Sequence, residues 1–289
     1  MARAFDRRAA LRPRTNALRV VDDAGDGFED LIVEDFAGRW LAQTRAAQFP
    51  QWLREISGPR SLYWKRLAQE KSAPVWVSGE ELESPFVMEE NEMRFEIDFG
   101  AGYSQGIFLD QRDNRERVLH TSRGASVLNC FAYTCAFGVA AARGGAKTVN
   151  IDLSKNYLAW GKRNYELNKV ALSGHEFLFG DVFDWLKRFK KKARLFDLVI
   201  LDPPTFSRAA SGSFRVEKDF GALVRAAVEV LAPRGRIFCS TNQRSLTLAR
   251  FREIIIGELP SPAAWKLDLR PMPPDFTGDA YLKSSWVTR

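Results

Sequence analysis

The sequence predicts a doubly wound, mostly parallel α/β sheet together with a small N-terminal α+β module. From about Ala125 onward, strand-like apolar runs alternate with helix-favouring segments, which is typical of βαβ units. One run, Phe196–Leu201, is almost continuously apolar, as expected of a strand that is buried on both faces. Before Ala125 the runs are short and turn residues separate them, which favours hairpins.

The N-terminal segment is strongly basic, with six arginines and one aspartate in the first twenty residues. We predict residues 1–14 to be a basic arm, which either seeks phosphate or is a disordered tail without a partner. We predict that residues 15–82 form the small α+β module. Its expected elements are strands at Ala17–Val21 and Ser61–Lys65, a hairpin of Leu31–Asp35 with Trp40–Thr44, and a helix at Phe49–Ile56.

We predict that residues 83–289 form the larger domain, which starts with a hairpin around Glu89–Glu92. A polar stretch follows, and Leu109–Thr121 is compatible with a helix. On that helix Gln111 and Arg115 stand four residues apart on one face, and Arg112 lies beside them.

The central unit of the larger domain is Val127–Asp152, a strand, loop, helix and second strand. Its second strand ends on Asp152, roughly 20 residues beyond the loop, which is the spacing of nucleoside-binding units. There the loop passes under the ligand and the acid binds the ribose hydroxyls. The alternative is an ordinary βαβ unit with a solvated acid at the strand end.

The alternation continues to the end of the chain. The expected helices are Lys155–Asn168, Val182–Phe189, Asp219–Leu231 and Leu246–Leu259, and the expected strands are Phe177–Phe179, Phe196–Leu201, Arg236–Ser240, Trp265–Leu269 and Leu282–Val287. We expect the last two strands to form an antiparallel pair at one sheet edge. Candidate ligand-binding residues follow the strands at Asn129–Tyr133, Asp152, Asp181, Asp202–Phe206 and Thr241–Arg244. One edge of a parallel sheet would present all of them beside a ligand crevice.

Composition excludes several classes of protein and site. No apolar run approaches the roughly 20 residues that a membrane span needs. Three cysteines without a CxxC pair, and only two histidines, argue against a zinc site, a disulfide framework and a Ser-His-Asp triad. We therefore expect a cytoplasmic protein without a metal. The basic run Leu186–Arg194 precedes a strand, so we interpret it as a solvated helix end away from the ligand edge.

Several blocks of the sequence resemble one known family. They are Gln105–Arg112 (QGIFLDQR) with Arg115, Val127–Ala136 with its NCFAYT, Asp152-Leu153-Ser154, Asn164 with Leu167-Asn168, and Asp202–Phe206 (DPPTF). The small module adds Thr15-Asn16-Ala17, Asp26-Gly27 and Leu31–Asp35. In these blocks the chain resembles Rossmann-like class I S-adenosylmethionine-dependent methyltransferases, of the group that modifies large-subunit ribosomal RNA. Relatives of the cytosine-C5 branch usually begin with a small RNA-binding barrel, whereas here only the short arginine arm precedes the module.

The resemblance implies a role for each matching residue. Asp152 would accept hydrogen bonds from both ribose hydroxyls, Asp181 would bind the adenine amino group, and Asn129, Phe131, Ala132, Tyr133 and Leu153 would line the cofactor. Asp202, Pro203 and Pro204 would shape the floor beside the sulfonium, and Phe206 would stack on the target base; these four are the expected catalytic residues, and Asp202 also belongs to the cofactor set. Gln111, Arg112 and Arg115 would close over the cofactor carboxylate or hold substrate phosphate, or would instead pack the small module onto the catalytic one.

The methylated atom depends on whether a cysteine is in place. Methylation of cytosine C5 requires a cysteine that attacks C6, and relatives with that activity carry it where this chain has Thr241. Cys239 lies two residues earlier, and Cys130 and Cys135 lie in the cofactor loop. The sequence from Ser240 to Arg244, together with Asp202–Ser207, instead resembles the branch that methylates guanine N7. That nitrogen has its own lone pair. We expect Thr241, Asn242 and Arg244 to contact substrate, and we favour guanine N7 over cytosine C5, with exocyclic adenine third.

We therefore predict a methyltransferase that uses S-adenosylmethionine and acts on RNA, without a membrane or metal partner, and the sequence leaves a homodimer open. Three alternatives remain. One is a small-molecule methyltransferase on the same fold, and another is an inactive RNA-binding or assembly factor that keeps the cofactor. The third is a nicotinamide dehydrogenase, although the chain has no GxGxxG.

Overall fold

The computed structural model describes residues 2–67, 72–81, 84–102, 104–209 and 212–289. Its contacts divide the chain into two compact units: unit 1 is Met1–Asp113 with Pro273–Ala280, and unit 2 is Asn114–Met272 with Tyr281–Arg289. The predicted boundary at residues 82 and 83 lies outside the described residues and stays a prediction.

Unit 1 is built on a five-stranded sheet with the strand order β1-β2-β3-β4-β5. Its elements are α1 (Ala2–Arg8), β1 (Ala17–Asp22), β2 (Leu31–Phe36), β3 (Arg39–Thr44), β4 (Ser61–Arg66), β5 (Val75–Gly79), β6 (Phe86–Glu90) and β7 (Met93–Ile97). Neighbouring strands are antiparallel except β3 and β4, which run parallel. Apolar side chains of β1 to β4 form its core, including Leu18, Val33 and Trp40.

Both predicted hairpins of this region are present. Between β2 and β3, Ala37 and Gly38 have positive φ angles of 55° and 84°, the combination that tight two-residue hairpin turns require. The Asp35 carboxylate accepts a hydrogen bond of 2.7 Å from the Gly38 amide and closes the turn. Asn91 and Glu92, with φ of 47° and 61°, make the corresponding turn between β6 and β7.

The N-terminal segment differs from the predicted arm, because it is a helix and a 3-10 turn, and four of its five arginines pair with carboxylates within unit 1. The Arg8 side chain is buried and donates to both Asp26 carboxylate oxygens, and Arg12 pairs with Asp35 at 2.8 Å. The reason is the charge of the unit: it carries 15 basic and 22 acidic residues, a net charge of −7. Unit 2 carries the other 28 basic and 14 acidic residues, a net charge of +14.

Unit 2 contains a seven-stranded sheet with the order β10-β9-β8-β11-β14-β16-β15. Its strands are β8 (Ser126–Cys130), β9 (Lys147–Asp152), β10 (Glu176–Phe179), β11 (Phe196–Leu201), β14 (Leu231–Thr241), β15 (Lys266–Arg270) and β16 (Lys283–Thr288). The helices are α2 (Arg112–Thr121), which starts at the end of unit 1, and α3 (Ala136–Arg143), α4 (Lys155–Leu167), α5 (Val182–Lys191), α6 (Val216–Val228) and α7 (Leu248–Glu258). The first five strands in the order are parallel, and β16 and β15 are antiparallel, so the predicted fold class and the predicted antiparallel edge pair are confirmed.

The C-terminal ends of the parallel strands meet at one edge of this sheet. Cys130 of β8 pairs with Ile151 of β9 and with Leu201 of β11, and Phe179 of β10 pairs with Asp152. The chain order reverses between β8 and β11, which makes this edge the topological switch point where ligands bind in open α/β sheets.

Four local predictions were wrong or incomplete. A two-stranded hairpin, β12 (Phe206–Ala209) and β13 (Gly212–Arg215), was not predicted, and neither was β5. Both lack the apolar alternation that identifies a half-buried strand. Strand β14 was predicted to begin at Arg236, because Pro233 and Gly235 usually interrupt a strand. In the structure it begins at Leu231 and continues through both residues. The segment Gln51–Glu55 is a 3-10 helix rather than an α-helix. Within the described residues, no helix has the length and apolarity to cross a membrane.

Candidate active site

The loop after β8 has an unusual backbone for a segment without glycine. Phe131, Tyr133 and Cys135 all have positive φ angles, of 58°, 50° and 60°. Each such residue costs about 1–3 kcal/mol, and backbone strain of this kind concentrates at functional sites. Two short backbone hydrogen bonds hold the loop, from the Ala132 amide to the Ile151 carbonyl at 2.8 Å and from the Cys135 amide to the Ala132 carbonyl at 2.7 Å.

Asp152 is fixed by this loop and by its own chain neighbours. Its Oδ2 accepts a hydrogen bond of 2.8 Å from the Tyr133 amide, and its Oδ1 accepts one of 2.8 Å from the Ser154 amide. Burial raises the pKa of the Asp152 carboxyl, and these backbone hydrogen bonds reduce the shift without cancelling it. A carboxylate has about four acceptor positions, so its backbone partners do not use all of them and a ligand hydroxyl can still donate to it. The arrangement fits the ribose of a nucleoside.

A buried polar network lies beneath the loop. The Asn129 amide nitrogen donates to Asn150 Oδ1 at 3.0 Å, and the Asn150 amide nitrogen donates to Tyr165 Oη at 3.0 Å. Thr148 Oγ1 is 2.6 Å from Tyr165 Oη and 2.9 Å from His175 Nδ1. The side-chain nitrogen of Asn129 thus already donates within the protein, and the predicted contact of Asn129 with the cofactor stays a prediction.

Two glycines allow α3 and α4 to approach the network and the loop. A Cβ on Gly138 would stand 2.1 Å from Asn150 Oδ1 and 2.7 Å from Tyr165 Oη. A Cβ on Gly161 would stand 2.3 Å from the sulfur of Cys135. Neither position tolerates a side chain without a shift of buried groups.

Asp181, the predicted adenine contact, follows β10 and caps α5. Its Oδ1 accepts hydrogen bonds from the amides of Phe183 at 2.9 Å and Asp184 at 3.3 Å. This capping role was not predicted, although an aspartate directly before a helix is a common N-cap residue. Leu153, which follows Asp152, is partly buried.

Asp202 stands at the end of β11, and its carboxylate accepts a hydrogen bond from the hydroxyl of Ser240 on the neighbouring β14. Pro203 is buried and Pro204 is exposed, and together they remove two backbone donors from this turn. Phe206 is 42% exposed, so its ring is accessible to a ligand. The structure therefore brings Asp202 and Ser240 together, and the contribution of Ser240 was missed from sequence.

The predicted substrate residues after β14 differ in exposure. Thr241 is buried, and its hydroxyl accepts a hydrogen bond of 3.2 Å from the Gln243 amide. Asn242 and Arg244 are exposed, with the Arg244 guanidinium 5.0 Å from the centre of the Tyr281 ring. Thr241 thus acts on the shape of this turn, while the other two side chains are exposed.

Two members of the predicted Gln111, Arg112 and Arg115 cluster lie in unit 1, and Arg115 lies in unit 2. All three side chains are buried. Arg112 forms a bidentate ion pair with Asp275, in which both side chains are 0% exposed. Burial lowers the pKa of Arg112, but the pairing with Asp275 outweighs it and raises the pKa overall. Arg112 is thus paired within unit 1, and the predicted roles of Gln111, Arg112 and Arg115 stay predictions.

None of the three cysteines offers a reactive thiol. Cys130, Cys135 and Cys239 are all buried and unpaired, and burial raises the pKa of each thiol above its ordinary range. Among the described residues, no three histidine, cysteine or acidic side chains are grouped so as to hold a metal ion.

Comparison with known proteins agrees with this geometry. The S-adenosylmethionine-dependent methyltransferase family matches residues 36–286. Ribosomal RNA large subunit methyltransferase K of Neisseria meningitidis is 33% identical over 238 residues, 78% of this chain and 67% of that protein. A ribosomal RNA large subunit methyltransferase of Deinococcus radiodurans is 33% identical over 259 residues, 84% of this chain and 64% of that protein.

A solved structure extends the likeness to the whole chain. A protein described as a methyltransferase and complexed with SAH has a TM-score of 0.91 and 28% identity, covering 100% of this chain and 80% of that one. The curated relatives are longer than this chain, which spans 64% of the Deinococcus protein and 46% of Ribosomal RNA large subunit methyltransferase I of Aeromonas salmonicida, a protein 37% identical over 183 residues.

The predicted family, cofactor and enzyme class are confirmed, and the dehydrogenase alternative is wrong. The edge of the unit 2 sheet, with its non-glycine loop and anchored Asp152, is built on the fold that the SAH-bound neighbour shares. The chain belongs to the S-adenosylmethionine-dependent methyltransferase family.

Proposed function

We propose that this enzyme transfers a methyl group from S-adenosylmethionine to a base of large-subunit ribosomal RNA. The observation that carries the proposal is the name shared by relatives that are 33% identical over most of the chain, all ribosomal RNA large subunit methyltransferases. The net charge of +14 on unit 2 supports it, because an excess of arginine and lysine provides the attraction that RNA phosphates require.

The cofactor is assigned to the edge of the unit 2 sheet. Asp152 would accept hydrogen bonds from the ribose hydroxyls at the acceptor positions that its backbone partners leave open. Asp181 would accept from the adenine amino group, with Phe131, Ala132, Tyr133 and Leu153 lining the same region. S-adenosylmethionine supplies an electrophilic methyl group on a sulfonium.

The substrate base is assigned beside the end of β11. Asp202 is held by Ser240, so its carboxylate and the two following prolines present a rigid floor at the strand end. The exposed Phe206 ring would stack on the base. Positioning of the accepting atom against the methyl group accounts for the chemistry, and no proton relay is needed for a nucleophile with its own lone pair.

We favour guanine N7 over cytosine C5 as the methylated atom. The C5 reaction needs a thiolate at the strand end, and the side chain there is Thr241. Cys239 lies two residues earlier on the same strand and is fully buried. Burial raises the pKa of its thiol, which disfavours the thiolate that would attack a base. Guanine N7 requires no such group.

The test is methyl transfer followed by mapping. Purified enzyme with isotopically labelled S-adenosylmethionine is offered naked ribosomal RNA, ribosomal particles and a small-molecule extract, and labelled nucleosides are identified by mass spectrometry. We expect labelled 7-methylguanosine in large-subunit RNA. Labelled 5-methylcytidine would reverse the order of the two bases, and label confined to small molecules would overturn the proposal. Cofactor binding without transfer to any RNA would favour the inactive assembly factor.

A further inference from the structure

The unpredicted β12–β13 hairpin stands between the predicted catalytic turn and α6. Its register pairs Phe206 with Arg215, Ser207 with Phe214, and Arg208 with Ser213. Because directly paired residues point to the same side of a ribbon, the hairpin has two different faces. One face carries Phe206, Arg208 and Arg215, and the other carries Phe214. The turn residues 210 and 211 lie outside the described part of the chain.

The inner face of the hairpin rests on the candidate cofactor site. Phe214 is buried, and its ring centre is 5.6 Å from that of Phe131 in the loop after β8. It is also 6.2 Å from the ring of Phe183, in the first turn of the helix that Asp181 caps. These contacts hold the hairpin beside the residues assigned to S-adenosylmethionine.

The outer face combines an exposed ring with two exposed positive charges. The guanidinium carbons of Arg208 and Arg215 lie 5.4 Å and 5.7 Å from the centre of the Phe206 ring. Both arginines are exposed, and Arg215 also interacts electrostatically with the nearby Glu217.

We propose that Arg208 and Arg215 hold the phosphates on either side of the target nucleotide in single-stranded RNA, while Phe206 between them receives its base. Guanidinium groups bind phosphate oxygens in a bidentate manner, and an aromatic ring flanked by them offers a surface on which a base stacks. The surrounding unit has the complementary charge, +14. This assignment rests on the proposed function and names the element that captures the substrate.

The test measures binding of a short fluorescein-labelled single-stranded RNA of mixed sequence by anisotropy at several salt concentrations. The variant Arg208→Ala with Arg215→Ala is compared with a control, Arg234→Ala with Arg252→Ala, which removes the same charge from exposed arginines on other elements of unit 2. Because single strands lose about 0.7 in salt slope per phosphate contact, we expect the hairpin variant to reduce the slope by about 1.4. Its affinity should fall about tenfold, and the control should change far less.

Three further measurements separate the possible causes. Arg208→Lys with Arg215→Lys keeps both charges and should restore the salt slope. Affinity for S-adenosylmethionine should be unchanged in all variants, which shows that the hairpin and the cofactor site remain folded. In the methylation assay the alanine variant should raise KM for RNA more than it lowers kcat.

The result decides this proposal separately from the proposed function. Wild-type salt dependence and KM in the alanine variant, or an equal loss in the control variant, would overturn the role of the hairpin even if the enzyme methylates RNA. A wild-type enzyme that binds RNA through the hairpin and transfers no methyl group would instead overturn the proposed function alone.

Discussion

Replacement of Arg112 by methionine separates the two roles that its sequence context predicts. In the structure its guanidinium and the Asp275 carboxylate are both 0% exposed and paired to each other. The variant leaves the Asp275 charge buried and without its partner. Removal of one partner of a buried ion pair costs about 3–5 kcal/mol in the free energy of unfolding. At about 2–4 °C per kcal/mol, this lowers Tm by about 6–20 °C.

The assay combines thermal unfolding with calorimetric titration of S-adenosylmethionine below the unfolding transition. Arg7→Ala is the matched control within unit 1, because the Arg7 side chain is 55% exposed and meets Asp26 at 3.3 Å. Asp26 keeps its buried pair with Arg8 when the exposed Arg7 is removed, so Tm should stay almost unchanged.

A double variant tests whether the unpaired Asp275 charge causes the loss of stability in Arg112→Met. Arg112→Met with Asp275→Leu removes both charges and should recover part of the stability that the single variant loses. Recovery should be incomplete, because the Arg19 amide and Arg112 both donate to the Asp275 carboxylate, and leucine leaves that amide without an acceptor. If Arg112→Met keeps the wild-type Tm and instead abolishes cofactor binding, the packing role is refuted and the cofactor contact stands.

Three shorter predictions follow from the candidate site. Asp152→Asn should weaken S-adenosylmethionine binding at least tenfold by calorimetry. Burial raises the pKa of Asp152 above its ordinary 3.8, and the charged carboxylate is the form that accepts hydrogen bonds from ribose, so the affinity of the wild-type enzyme should start to fall at a higher pH than it would if the aspartate were exposed. An affinity that stays constant from pH 7 to pH 4 would contradict this. Cys239→Ala should retain methyl transfer with a loss of about 1 kcal/mol in stability, whereas complete loss of activity in a folded variant would return cytosine C5 to first place. Gly138→Ala should cost about 1–3 kcal/mol by denaturant unfolding because its Cβ meets Asn150, while the control Gly257→Ala in α7, with no atom within 4 Å, should cost nothing.

The sheet of unit 2 could be predicted because its information is local. A strand such as β11 is apolar on both faces, and the helices between strands show their own period, so neither requires knowledge of distant partners. The alignment of Asp152, Asp181 and Asp202 at one edge then follows from parallel strand direction alone. Element ends shifted where caps were absent: α6 begins at Val216, after an arginine that makes no side-chain capping bond.

The arginine partners could not be predicted because they are distant in sequence. Arg112 and Asp275 are separated by 163 residues, and Arg8 and Asp26 by 18. Periodicity contains no information about such pairs. The composition of the first twenty residues therefore indicated a free positive charge. In the structure, ion pairs within the acidic unit 1 neutralise most of that charge.

The structure places two demands on the Asp152 carboxylate, and they are linked. Three non-glycine residues of the loop, Phe131, Tyr133 and Cys135, occupy the left-handed region at a cost of about 1–3 kcal/mol each. The Asp152 carboxylate offsets part of that cost by accepting from the Tyr133 amide, with its second oxygen on the Ser154 amide. The same carboxylate is the group that we propose for the ribose hydroxyls. A glycine at position 133 would adopt the positive φ without strain and without help from Asp152. Because this chain has tyrosine there, it depends on Asp152 for the shape of the loop as well as for the proposed binding. Tyr133→Gly introduced into the Asp152→Asn variant should therefore recover stability but not cofactor affinity, and recovery of both would show that Asp152 acts only through the loop.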